Sequence, residues 1–133
     1  MGITEEEKKV LGKINWLHAD IGKNNGIQSA TYNLATACFV FHELPAEPTT
    51  NIIMEIHRIL KSKGVVAIID NDPQSPVIQN LPPALFTLMK STEPWSDQYY
   101  VFDLEESLRA AGFINVRTVA SDPRHRTVMA QKP

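Results

Sequence analysis

Apolar and polar residues change rhythm several times along this chain. Between Asn51 and Lys63 the apolar positions Ile52, Ile53, Ile56, Ile59 and Leu60 recur at three- and four-residue intervals, while Glu55, His57, Arg58, Lys61 and Lys63 mostly take the other side. That period is helical. Pro48 suits a first turn, and Thr49 or Thr50 can cap it. Gly64 reads as the C-cap, immediately before the continuous apolar run Val65–Ile69, which predicts a strand. Leu34–Phe41 is a second near-continuous apolar run, and it predicts a strand buried on both faces, as in a parallel sheet.

Upstream, Thr4-Glu5-Glu6-Glu7 has the form of a capping box and predicts a helix over about 5–11, closed by Gly12. Ile14–Leu17 is expected as a brief strand ending near Asp20, and Gly22–Gly26 as a turn-rich loop. Downstream, Pro73, Pro76, Pro82 and Pro83 predict an irregular segment. Ala84–Lys90 looks helical, with Trp95, Tyr99, Tyr100 and Phe102 in a loop behind it. Asp103-Leu104-Glu105-Glu106 is a second capping box, opening a helix whose stripe is Leu104, Leu108 and Ala111 and whose stop is Gly112. Ile114–Val119 and Thr127–Ala130, parted by Asp122-Pro123-Arg124, predict an antiparallel finish. Strands alternating with helices imply an α/β layered domain.

Composition narrows the function classes. With 133 residues the chain suits one domain, expected to cover 1–133. Thirteen basic against 15 acidic side chains leave a net charge of −2, which argues against a nucleic-acid partner. No apolar stretch approaches the roughly 20 residues that span a bilayer, so no membrane partner is expected. The single cysteine, Cys38, forms no internal disulfide, and a reducing, cytoplasmic setting is the default expectation.

Familiar catalytic motifs are missing. There is no Gly-x-Ser-x-Gly and no phosphate-binding Gly-x-x-x-x-Gly-Lys-Ser/Thr. His42-Glu43 begins a zinc-protease motif, but Ala46 stands where the second histidine belongs and Pro45 breaks the helix it needs, so no metal is expected. Asp70 and Asp72 close a strand at its carboxyl end, where open α/β sheets bind ligands. They suit a cation, a substrate amine or merely the turn before Pro73. Trp95, Tyr99 and Tyr100 suit either a lid or a core cover.

The ordered set of Leu34–Phe41, His42-Glu43-Leu44-Pro45, Glu55–Gly64, Val65–Asp70 and Asp103–Phe113 resembles class I S-adenosylmethionine-dependent methyltransferases, nearest to the ubiquinone/menaquinone-biosynthesis type. The resemblance implies an incomplete Rossmann-like sheet, mostly parallel with an antiparallel C-terminal edge strand and helices on both faces. It implies S-adenosylmethionine as cofactor and a small-molecule substrate. Asp20 and Ile21 match the family's adenine contacts. Ala37, Cys38 and Phe39 match the strand end beside the methionine portion. His42 and Glu43 match the substrate-facing loop, where either is the first candidate for a general base.

The family's Gly-x-Gly loop has no counterpart, since no two of the six glycines lie two apart. On this alignment the chain starts before the family's third strand and lacks the first two. The Leu34–Phe41 strand is then expected to have an unpaired edge, covered by Ile14–Leu17, by a second copy or by a partner chain. Two readings follow from the resemblance: a methyltransferase, or a non-catalytic methyltransferase-like module or truncated fragment that dimerises through that edge.

Overall fold

A computed structural model describes Lys9 and residues 13–23 and 25–133. Four strands form one sheet in the order β1-β2-β4-β3: β1 is Tyr32–Cys38, β2 Leu60–Asn71, β3 Ile114–Ala120 and β4 His125–Gln131. A 3-10 turn, Phe41–Glu43, follows β1. The helices are α1 (Ala46–Ile59), α2 (Pro76–Gln79), α3 (Pro83–Thr92), α4 (Ser96–Val101) and α5 (Leu104–Ala110). The expected helix over 5–11 lies outside the described residues except for Lys9, which is helical.

β1 and β2 pair in parallel, with Ala35 beside Val66 and Ala37 beside Ile68. β4 runs antiparallel to both its neighbours. Three of the four strands therefore point one way, as expected. The antiparallel C-terminal strand, however, is an inner strand, and the edge is β3. The crossover through α5 lays β3 one strand-width from β2, and the short turn after Ala120 returns β4 into that gap.

The core forms on one face. Val66, Ile68, Val128 and Ala130 turn toward Ile52, Ile53 and Ile56 of α1 and toward Leu104 and Leu108 of α5, all buried. This is the helical stripe that the three- and four-residue spacing predicted, and burying each such side chain contributes roughly 1.5–3 kcal/mol. The opposite face, with Val65, Ala67, Ile69, Thr127 and Met129, stays partly exposed. Helices on both faces were expected, but α1 and α5 share one core.

Several local expectations are corrected. α1 ends at Ile59, and Leu60 is already extended, so Gly64 is no helix cap but lies inside β2. There Lys63 takes a left-handed φ of 64°, and a Cβ on Gly64 would sit 2.8 Å from the Lys61 carbonyl oxygen. The surplus residues form a bulge opposite Tyr32 and Leu34. Ile14–Leu17 has no regular secondary structure, and Trp16 is 85% exposed. Among the described residues it pairs with no strand, so no backbone ladder holds it extended. β1 is likewise not buried on both faces, since Leu34 is 58% exposed. Within the proline-dense segment, Ser75 caps α2 by accepting from the amides of Val77 and Ile78, an order that the prolines concealed.

The α5 stop behaves as the pattern predicts. Asp103 accepts from the Glu106 amide at 2.8 Å, and Gly112 turns the chain at φ 100°. That turn brings Gly112 against His57, whose ring meets Phe113 edge to face at 4.9 Å. Burial, aided by nearby Lys132 and opposed by the Gly112 backbone, holds this imidazole below its ordinary pKa. The folded state therefore binds the proton less well than the unfolded chain does. Stability should be fully present above about pH 6.5 and fall as the pH drops below it. Chemical denaturation across pH 5–8 should show that slope, and His57→Gln should flatten it. Gly64→Ala should cost about 1–3 kcal/mol in the same assay, because the added methyl meets backbone rather than a movable side chain.

Candidate functional site

Parallel pairing brings the carboxyl ends of β1 and β2 side by side, and β2 ends in the polar residues Asp70 and Asn71. Asp70, 1% exposed, sits at the end of β2. Its Oδ2 accepts from the amides of Phe41 at 2.9 Å and His42 at 3.3 Å. Its Oδ1 accepts from the Asn71 amide at 2.8 Å and lies 2.7 Å from His42 Nδ1. A carboxylate only accepts, so Nδ1 carries the shared proton, and in the neutral ring the lone pair lies on Nε2. His42 is thereby fixed in one tautomer at the mouth of the loop between β1 and α1. Glu43 is exposed, with Oε1 3.9 Å from His42 Nε2.

The aromatic segment frames this pair. Tyr99, buried in α4, donates from its hydroxyl to the Asn71 carbonyl at 2.6 Å, and its ring stands 6.4 Å from that of His42. Burial, with the nearby Asp70 carboxylate, raises the Tyr99 pKa far above its usual value. Tyr99 is therefore a neutral wall and donor. Trp95 is 41% exposed, and Tyr100 is half-buried against Tyr99.

The candidate cofactor residues divide into two groups. Ile21, Ala37 and Cys38 line one apolar groove of about 420 Å³ between β1 and α1, and no charged side chain contributes to its walls. Phe39, just past the strand at φ 54°, turns away to meet His125 edge to face at 4.9 Å. Asp20 spends its carboxylate locally, on the Gly22 amide at 3.0 Å and on Lys23 at 3.2 Å, and these two partners hold its pKa below the ordinary value. Asp70 is no open binder of a cation or an amine, because protein donors occupy both its oxygens. Asp72 accepts from the Gln74 amide at 2.9 Å in the turn around Pro73. Among the described residues no cluster of His, Cys, Asp or Glu is arranged to hold a metal.

Sequence reasoning singled out His42 and Asp70 separately and missed that they pair. The two residues stand 28 positions apart, and no motif spacing joins them. The available signal was topological: a histidine just beyond one strand and an acid closing the next parallel strand must end up as neighbours.

No protein-family profile matches the chain, and no curated protein matches it. Solved structures do. A SAM-dependent methyltransferase from Archaeoglobus fulgidus superposes with a TM-score of 0.66 at 15% identity, over 98% of this chain and 73% of that one. The CurJ carbon methyltransferase gives 0.62 at 16% identity, over 96% and 38%. Phosphoethanolamine N-methyltransferase 2 of Haemonchus contortus, solved with S-adenosyl-L-methionine, gives 0.62 at 14% identity, over 80% and 34%. A further matched chain, from Bordetella parapertussis, is covered over 51% of its length, so the chain spans about half or less of most of these structures. The fold is that of class I S-adenosylmethionine-dependent methyltransferases, present here in part. No described helix is long and apolar enough to cross a membrane.

The network around Asp70 makes a sharp prediction. Asp70→Asn sets an NH2 group against at least one of the donors that the carboxylate now satisfies. The variant should lose roughly 1.5–3 kcal/mol of stability in urea unfolding, the range for hydrogen bonds to charged groups.

Proposed function

We propose that this chain takes part in S-adenosylmethionine-dependent methyl transfer to a small-molecule acceptor, with His42 as the general base. The observation that carries the proposal is the buried His42–Asp70 pair at the carboxyl ends of β1 and β2, in a fold whose named relatives are methyltransferases. Ligands of open α/β sheets sit at such strand ends. The walls there fit the adenosine portion of the cofactor: Ile21, Ala37 and Cys38 offer an uncharged surface for a flat ring. Phe39 and Asp20 border the same end of β1. When bound, the cofactor supplies an electrophilic methyl group on a sulfonium centre.

The remaining work falls to this chain's own residues. Asp70 holds the His42 ring through Nδ1, which leaves Nε2 as the nitrogen for the acceptor's proton. An acceptor hydroxyl or ammonium placed at Nε2 gives up its proton there as its heteroatom becomes the nucleophile. Tyr99 screens the pair from water on one side, and Tyr100 packs edge to face against it. Glu43, exposed and close to Nε2, is placed to hold a charged or hydroxylated acceptor rather than to take the proton itself. The free thiol Cys38 suits a reducing compartment, the cytoplasm first among them.

Isothermal titration with S-adenosylmethionine and S-adenosylhomocysteine tests the cofactor. Heat with micromolar affinity for both is expected, and silence from both would overturn the proposal. In a methyl-transfer assay His42→Ala should lower kcat about 10²-fold or more, the usual contribution of a positioned base, while leaving cofactor affinity largely unchanged.

A further inference from the structure

A strap of chain crosses α1 on its way into β1, and one guanidinium holds it there. Arg58, in the last turn of α1, donates from Nε to Glu55 Oε2 at 2.8 Å. Its two terminal nitrogens donate to the Ser29 hydroxyl at 2.9 Å and to the Ile27 carbonyl at 2.6 Å. They also reach the second Glu55 oxygen and the Asn25 side-chain oxygen. Asn25, 8% exposed, donates in turn to Glu55 at 2.8 Å, and its oxygen accepts from the Ile27 amide at 2.9 Å. The backbone continues the attachment, since the amides of Ala30 and Thr31 donate to the carbonyls of Arg58 and Ile59.

This is more than a helical ion pair needs. Glu55 and Arg58 stand three apart on α1, and a lysine would serve such a pair as well. Only a planar fork of donors reaches Glu55, Asn25, Ile27 and Ser29 together, and the last three belong to the strap. Both ends of the strap meet the apolar groove. Thr31, tied to Ile59, leads into Tyr32, and Ile59 and Tyr32 line that groove. At the other end the turn at Gly22 rests on the same helix, where a Cβ would lie 3.6 Å from Ile52, and its neighbour Ile21 lines the groove too.

We infer that, on the reading of this groove as the adenosine site, Arg58 is a positioning residue for the cofactor: it fixes the strap that carries the Ile21 wall. A wall already in place adds its full contact to an uncharged ring. A loose strap must be ordered at the moment of binding, and that cost is subtracted from the affinity. The His42–Asp70 pair is held by the amides of Phe41, His42 and Asn71, none of which belongs to the strap. Arg58 therefore governs affinity and leaves the methyl-transfer step alone.

Arg58→Lys keeps the charge beside Glu55 and loses the fork. In the unliganded variant, with an unchanged circular dichroism spectrum, the Ile27 amide should exchange its hydrogen about tenfold faster. Titration with S-adenosylhomocysteine should give a Kd about tenfold weaker, while kcat at saturating S-adenosylmethionine stays at the wild-type value. Ser29→Ala removes one exposed contact of the fork and should weaken binding about two- to threefold, which carries the test if the lysine variant does not fold. Ile21→Ala supplies a readout that a merely structural role would not move: combined with Arg58→Lys, the two losses of affinity should not add. Wild-type affinity in the Arg58 or Ser29 variant, unchanged exchange, a kcat that falls with affinity, or losses that add would overturn the inference and leave the methyltransferase reading standing. Silence of the wild-type chain toward the cofactor would overturn both.

Discussion

One buried carboxylate organises the end of this sheet. Asp70 has almost no contact with water, and an uncompensated charge there would be very costly. It persists because three backbone amides and an imidazole N–H converge on its two oxygens. Three of those four donors belong to Phe41 and His42, so the same interaction that neutralises Asp70 also ties the loop after β1 to the end of β2. Remove the carboxylate, and the loop loses its anchor while the histidine loses its orientation. The fold's stability and the candidate chemistry share that anchor.

The core explains why Asp70 can lie so deep. α1 and α5 cover one face of the sheet, and the alternation of β2 sends Val66, Ile68 and Asp70 to that covered side. A strand cannot turn one residue away from its face without shifting the rest. Asp70 is therefore buried by the same register that buries Ile68, and the 3-10 turn at Phe41–Glu43 is the element that meets it. Among the described residues the opposite face stays partly exposed, and β1 has a single sheet neighbour. The sheet has a saturated side with a rigid site at its carboxyl end, and an open side with apolar surface.

Much of the fold was legible in the chain. The stripe from Ile52 to Ile59, the capping aspartate at 103, the stop at Gly112 and the two C-terminal strands all rest on local chemistry, which sequence displays directly. Less was legible where a local signal served another purpose. Gly64 looks like a cap in sequence, yet it is needed where β2 bulges and the backbone of Lys61 comes too close for any side chain. Ser75 and the prolines after it hid a short capped helix. The terminal strand, β4, was expected at the edge from the resemblance, but strand order depends on which gap is open when the chain returns.

Local pattern alone thus specified α1, α5, the four strands that form, the apolar stripe that becomes core, and the candidacy of His42, because propensity, capping and apolar period act between residues a few positions apart. Tertiary structure alone decided that Asp70 is the partner of His42, that Asp20 turns to its own loop, that Phe39 swings away to His125 and that Ile14–Leu17 finds no strand. Each of those outcomes depends on residues far apart in the chain competing for the same donors, acceptors and space, and no local pattern records who wins.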